Sequence, residues 1–156
     1  MRFALWLQLA NGVLLALLCL RYFGDTPLPA DALARIFRVL MVPAHGLLLS
    51  FAILPLVLLP ALAHPGRWIV VWGALCNGAL AGLVWVDLGV FALYRFHLNA
   101  MVWNLVSSGA ADEILVFSST TGVRAATWFA AMLALEGLVS WAIWRGLALR
   151  SRLGGP

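Results

Sequence analysis

The most restrictive feature of this sequence is a series of long apolar runs that contain almost no charge. Residues 39–63 and 68–86 contain no acidic, lysine or arginine side chain. A helix that crosses a bilayer needs about 20 mostly apolar residues. Hydrophobic residues make up 64% of the chain and charged residues 10%, whereas soluble domains are about 45–50% apolar and about 25% charged. The sequence therefore predicts an integral membrane protein and excludes a water-soluble enzyme or a disulfide-stapled secreted domain.

The runs predict one all-α domain over residues 1–156, folded as a polytopic membrane helix bundle. Four transmembrane helices are expected at residues 3–22, 33–63, 68–94 and 124–148. Three prolines in the second run predict a kinked or tilted helix, because neighbouring helices must satisfy the carbonyls that proline leaves free. The first run is expected to be a retained helix, since its apolar core is long and no small-x-small cleavage site follows it.

The stretch between helices three and four, residues 95–120, is predicted to lie at the outer membrane interface. Leu98, Met101, Val102 and Leu105 recur at helical spacing. A short amphipathic helix is therefore expected there, with its polar residues among the lipid headgroups.

All ten basic residues are arginines, and the formal net charge is +4. They stand singly at the ends of apolar runs, where a guanidinium group reaches the headgroup region. Membrane lipids, either anionic phospholipid or lipopolysaccharide, are the expected partners, and a nucleic-acid partner is not expected. Short cytoplasmic segments rich in arginine favour an orientation with both termini in the cytoplasm.

Three polar side chains are expected to share one layer inside the bilayer. At about 1.5 Å per residue, Asn11, Asn77 and Glu136 lie about 12–13 Å from the inner face. Glu136 should face the bundle, either protonated or hydrogen-bonded to one of the two asparagines. Two interpretations stay open: contacts between helices worth about 0.6 kcal/mol each, or a carboxylate that handles a proton or a substrate. The lack of a second titratable group at that depth favours the first.

Several further residues have structural interpretations. Small residues at every fourth position of helix three predict close helix packing within the bundle, although a partner protein's helix could also use that face. Asp87 is expected to form an ion pair with Arg21 or Arg124, and His45 to be a packing residue. Neither cysteine has metal-ligand or disulfide spacing, so no metal or cofactor is expected. The small residues are Ala74, Gly78 and Gly82.

No catalytic motif is present: the sequence has no GxSxG elbow, HExxH pair or P-loop. An enzyme that acts on lipid headgroups through Asp87, His97 or Asp112 is one hypothesis, but these residues match no spacing with a chemical rationale. A small oligomeric transporter or channel subunit that uses Glu136 is the alternative to a binding protein.

A set of short motifs, in order along the chain, resembles the N-terminal membrane domain of the inner-membrane sulfatase-like proteins of Gram-negative bacteria, the YejM/PbgA type. The resemblance covers nearly the whole chain, and the Arg-Phe-His-Leu-Asn passage is its most specific part. The motifs are Asn11, Arg21-Tyr22, Ala34-Arg35-Ile36, His45, Pro55, Val86-Asp87, Val90-Phe91, Arg95-Phe96-His97-Leu98-Asn99, Val102-Trp103, Leu135-Glu136, Trp141 and Trp144.

The resemblance implies an inner-membrane location and a role in lipopolysaccharide or envelope lipid homeostasis. In that family the membrane part precedes a periplasmic domain of alkaline-phosphatase-like fold, whereas this sequence ends at Pro156, so no hydrolase activity is carried over. The expected function is a non-catalytic membrane domain that binds lipid or a membrane-protein partner. The residues expected to make those contacts are Arg21, Arg35, Asp87, Arg95, His97, Asn99 and Trp103.

Overall fold

The computed structural model describes residues 2–24, 27–95, 97–99, 104, 107–108 and 119–153. Four stretches within them are long and apolar enough to cross a membrane: Arg2–Phe23, Ala32–Ala63, Trp68–Ala92 and Gly122–Leu149. The predicted all-α bundle with four transmembrane helices is therefore confirmed. Its elements are α1 (Arg2–Cys19), a 3₁₀ turn (Leu20–Phe23), α2 (Ala32–Ala52), α3 (Leu54–Ala63), α4 (Trp68–Tyr94) and α5 (Ser119–Leu153).

The second span is two helices, α2 and α3, where the sequence predicted a single kinked one. α2 begins at an Asp31 cap, whose carboxylate accepts a hydrogen bond of 2.8 Å from the Ala34 amide. The interruption falls at Ile53, two residues before Pro55. Because Pro55 has no N–H and its ring clashes with the carbonyl four residues earlier, the α-helical hydrogen bonding cannot continue across it. Pro43 lies within α2 without ending it.

The fourth helix is longer than the predicted 124–148, since α5 extends from Ser119 to Leu153. The predicted interfacial segment, 95–120, falls largely outside the described residues. Its amphipathic helix stays a prediction.

Helices α1 and α4 form the centre of the bundle. About 50% of the apolar window of the first span and 44% of the third are buried inside the protein, against 17% for the second and the fourth. α1 packs mainly against α2, and α4 packs mainly against α5. The second and fourth spans therefore expose most of their apolar surface to the lipid. Helices can do this in a bilayer because their backbone hydrogen bonds are satisfied within the helix.

Glycines let the helix pairs approach closely at two places. A Cβ atom built on Gly46 of α2 would lie 2.5 Å from the Ala16 amide nitrogen of α1. One built on Gly78 of α4 would lie 2.6 Å from Cδ2 of Leu133 in α5, and Gly82 faces the Phe129 ring in the same way. Ala74, the third small residue of that predicted face, is buried. The α4 face therefore packs against a helix of the same chain.

Candidate functional site

Asp87 joins three parts of the chain at the end of the bundle where α1 and α4 finish. Its carboxylate accepts hydrogen bonds from the Tyr22 hydroxyl, from the Leu98 amide at 2.5 Å and from His97 Nδ1 at 2.7 Å. Tyr22 comes from the 3₁₀ turn that follows α1, whereas His97 and Leu98 follow α4. The prediction of an ion pair with Arg21 or Arg124 is wrong. The partners of the carboxylate are instead a hydroxyl, a backbone amide and an imidazole. Asp87 therefore ties residues 97–98 to the ends of α1 and α4.

Three rings pack beside this carboxylate. The His97 ring stacks on Phe91 with 4.6 Å between centroids, and Tyr22 meets both rings edge-on at 5.1–5.4 Å. Stacking and the bond to Asp87 together orient the imidazole, even though the His97 side chain is 58% exposed. We call Tyr22, Phe91 and His97 the aromatic wall.

One side of the aromatic wall borders a cavity of about 370 Å³, which we call the arginine cavity. Arg21 and Arg95 both line it, and both are exposed. The Arg21 guanidinium lies 4.9 Å from the Trp85 ring centroid, and the Arg95 guanidinium lies 6.0 Å from that of Phe91. Among the described residues, neither arginine forms an ion pair with an acidic side chain. Two cations therefore face one cavity, and no carboxylate of the described residues forms an ion pair with either of them.

The backbone of Arg95 holds an uncommon conformation. Its φ of 59° and ψ of 24° are left-handed, and its N–H donates a 2.9 Å hydrogen bond to the Phe91 carbonyl to close α4. This conformation is usual for glycine at the end of a helix, and it costs any other residue about 1–2 kcal/mol. A non-glycine residue in this conformation motivates a functional hypothesis for its side chain.

The other side of the aromatic wall borders a larger groove of about 940 Å³, which we call the lateral groove. It lies between α1, α2 and α4. The end of the groove nearest Asp87 carries polar side chains, including Arg38, and the part further along the helices is apolar, with Leu49 and Leu83 among its residues. Arg38 is anchored there by hydrogen bonds to the carbonyls of residues 27 and 23.

The structure does not place the remaining predicted interfacial residues in the arginine cavity. Arg35 donates hydrogen bonds to the carbonyls of Pro29 at 2.8 Å and Ala30 at 2.7 Å, so it holds the connection before α2 rather than the arginine cavity. Asn99 is exposed. Trp103 and Asp112 lie outside the described residues.

The predicted polar layer brings together Asn11 and Glu136, whose side chains form a 3.0 Å hydrogen bond from Asn11 Nδ2. Asn77 is also fully buried. Sequence reasoning missed three further members of this layer, which lie within apolar runs. The spacing along the helix could have indicated two of them. Gln8 precedes Asn11 by three residues and Ser140 follows Glu136 by four, so each lies on the same helix face as its predicted neighbour. The missed members are Gln8, Ser50 and Ser140.

The fold and the site around Asp87 define a polytopic helical membrane protein that carries a cationic cavity at one membrane interface. Residues 1–155 match the family described as "Domain of unknown function (DUF3413)", and the chain belongs to that family. It is 31% identical over 111 residues to "Inner membrane protein YejM" of Salmonella typhimurium (strain LT2), and equally to the protein of that name from Salmonella typhi. The match covers 70% of this chain but only 19% of each relative. The resemblance to the YejM type is confirmed.

Proposed function

We propose that this protein is a non-catalytic inner-membrane domain that binds the phosphate group of an anionic lipid in its arginine cavity. The lipid is a phospholipid or lipopolysaccharide of the outer leaflet, and the role is in envelope lipid homeostasis. The inner-membrane location is inferred from the relatives, whose printed name is "Inner membrane protein".

The observation that carries the proposal is the pairing of Arg21 with Arg95 on one cavity. Guanidinium groups are well suited to phosphate, because their planar N–H donors match its oxygens. The rings of Trp85 and Phe91 lie beside the guanidinium groups. Each arginine therefore has fewer accessible rotamers before binding and loses less side-chain entropy when it binds. Gly89 lines the same cavity, and a Cβ built on it would meet nothing within 4 Å. There is therefore room beside the two cations for a headgroup.

The lateral groove supplies the second half of a lipid-like site. Its polar end matches a lipid headgroup, and its apolar part matches acyl chains. The two cavities are adjacent, because Tyr22 and Phe91 line both. With both termini in the cytoplasm, the orientation we favour, these cavities open at the periplasmic surface. That surface is where a domain concerned with envelope lipids would meet its ligand.

The proposal is tested by counting bound lipid on the full chain with native mass spectrometry. Delipidated protein in detergent is titrated with phosphatidylglycerol, with lipid A and with zwitterionic phosphatidylcholine. We expect the two anionic lipids to bind more tightly than phosphatidylcholine. In the double variant Arg21→Gln/Arg95→Gln, affinity for the anionic lipids should fall about 30-fold, since each arginine near the surface contributes about 1 kcal/mol.

The matched control is Arg67→Gln/Arg145→Gln, which removes the same charge at the opposite end of the bundle. This variant should bind anionic lipid at the outer site as the parent chain does. Equal losses in the two double variants would show that net charge, rather than the arginine cavity, attracts the lipid. No loss in either would refute the site.

A further inference from the structure

In the part of the chain that the structure describes, six polar side chains lie in the middle of the bundle, and each is 0–1% exposed. They come from all four spans, so they form a cluster between helices rather than a polar face of one helix. We call them the buried polar cluster. Its members are Gln8 and Asn11 of α1, Ser50 of α2, Asn77 of α4, and Glu136 and Ser140 of α5.

The close helix contacts place these residues at one level. Gly73 of α4 faces the Leu7 side chain of α1, and the two helices run parallel, so Asn77 is level with Asn11 four residues further along. α5 runs antiparallel to α4, and Gly78 faces Leu133. Asn77 is therefore level with residue 134, about 3 Å along the axis from Glu136 at 1.5 Å per residue.

The hydrogen bonds within the cluster settle how the two asparagine amides are turned. Asn11 Nδ2 donates to the Leu7 carbonyl at 3.2 Å, and Asn77 Nδ2 donates to the Gly73 carbonyl at 2.9 Å. A carbonyl only accepts hydrogen bonds, so the nitrogen of each amide must face it. The amide oxygens are consequently turned away from the helix backbone, as hydrogen-bond acceptors.

Five atoms of the cluster have no hydrogen-bond partner among the residues that the structure describes. These are Gln8 Nε2, Asn11 Oδ1, Asn77 Oδ1, Glu136 Oε1 and Ser140 Oγ. Buried polar atoms are almost always satisfied, either by the protein or by internal water. Inside a bilayer this requirement is stricter, since the hydrocarbon offers no alternative partner.

The donors and acceptors in this set indicate what occupies it. The two amide oxygens require donors, the Gln8 amide supplies donors, and the Ser140 hydroxyl can act as either. A water molecule donates two hydrogen bonds and accepts two, so it can connect the Gln8 amide to the asparagine oxygens. Glu136 Oε1 adds a surplus acceptor if the side chain is a carboxylate, and becomes a matching donor if it carries a proton.

The charges around Glu136 also favour a protonated side chain. In the described part of the chain, its side chain bonds to the Asn11 amide and to no cationic group. The nearest arginine to Glu136 along α5 is Arg145, and the nearest to its partner Asn11 along α1 is Arg2. Each is nine residues away, which is about 13 Å along a helix. Cys76 on α4 and His45 on α2 are the other titratable side chains near this level, and His45 is exposed toward the lateral groove.

We propose that the buried polar cluster binds water within the membrane and that Glu136 is held there as a neutral carboxylic acid. The Glu136 hydroxyl and the water donate to the two asparagine oxygens, and the Gln8 amide donates to the water. The cluster is thus an intramembrane site for a proton and water, separate from the arginine cavity.

Infrared spectroscopy of the full chain tests the protonation. The protein is labelled with ¹³C-carboxyl glutamate and kept at pH 7 in a maltoside detergent, which has no ester carbonyl to interfere. The sequence has two glutamates, Glu113 and Glu136. Glu113→Gln is the matched control, and it leaves Glu136 as the single labelled side chain. We expect one carboxylic-acid carbonyl band per chain, present in Glu113→Gln and absent in Glu136→Gln.

Two outcomes would overturn the proposal. A carboxylate band alone in Glu113→Gln would show an ionised Glu136, and a thermal stability that rises with sodium chloride but not with choline chloride would identify a cation as the occupant. For the water, NMR cross-relaxation should connect the Gln8 side-chain amide to a long-lived water molecule, and its absence would refute hydration. Because Glu113→Gln assigns the band without altering the cluster, the test holds even if Glu136→Gln fails to fold.

Discussion

Gly46 offers a direct test of how closely α1 and α2 must approach. A Cβ at this position would lie 2.5 Å from the Ala16 nitrogen, 2.7 Å from the Gly12 oxygen and 2.8 Å from the Ala16 Cα. These are backbone atoms, so no side-chain rotation relieves the contact and the helices must separate by roughly 1 Å to restore ordinary packing distances. Gly46→Ala should therefore destabilise the bundle even though alanine favours a helix.

The magnitude follows from two opposing contributions. Overpacking a close-packed site costs about 1–3 kcal/mol, and a backbone contact places this one in the upper part of that range. Alanine gains up to about 1 kcal/mol over glycine in a helix. We expect Gly46→Ala to lower the free energy of unfolding by about 1–2 kcal/mol.

The control is Gly137→Ala in α5, because a Cβ there would meet nothing within 4 Å. This variant makes the same chemical change in a helix and should be stabilised by up to about 1 kcal/mol. Both variants are unfolded in maltoside micelles by added sodium dodecyl sulfate, and the free energies are compared at one detergent ratio. If Gly46→Ala proved as stable as Gly137→Ala, the close contact between α1 and α2 would be disproved.

Three further predictions concern the two sites. A double-mutant cycle of Asn11→Ala and Glu136→Ala should give a coupling energy of about 0.6 kcal/mol, up to about 1.7; additive effects would show that the bond between them is absent. Asp87→Ala removes the acceptor of three hydrogen bonds and should cost about 1–3 kcal/mol, with faster amide hydrogen exchange at Leu98 as the direct readout, and unchanged exchange would contradict the arrangement. Arg95→Gly should stabilise the protein by about 1–2 kcal/mol by relieving the left-handed backbone, while lowering affinity for phosphatidylglycerol about fivefold. A variant that lost stability would show that the αL conformation is not a strain.

The buried acid shows how far depth can be predicted along the chain. Counting residues at about 1.5 Å each predicts that Asn11, Asn77 and Glu136 share one layer, and all three belong to the buried polar cluster. Ser50 could not be found this way, because a single serine in an apolar run is common in membrane helices and has no periodic partner. Its hydroxyl lies 2.9 Å from Gln8 Oε1 only because α2 packs on that face of α1.

The site around Asp87 shows where such reasoning fails. The sequence predicts an arginine partner for Asp87, because the charges lie at similar depths. The structure gives it Tyr22, His97 and Leu98 instead, since the 3₁₀ turn after α1 rotates Arg21 toward Trp85 and Tyr22 toward Asp87. Neighbouring side chains in a 3₁₀ turn are separated by a rotation of about 120°, so one residue of difference exchanges the partner.

The membrane environment, the number of spans and the depth of each polar residue follow from local properties of the chain, namely apolar run length and the constant rise of a helix. The identity of the groups that meet around Asp87, in the arginine cavity and in the buried polar cluster does not. Those meetings depend on the rotation of each helix about its axis and on which helices are neighbours. Both are determined by packing contacts between segments far apart in the chain, such as Gly46 against Ala16 and Gly78 against Leu133.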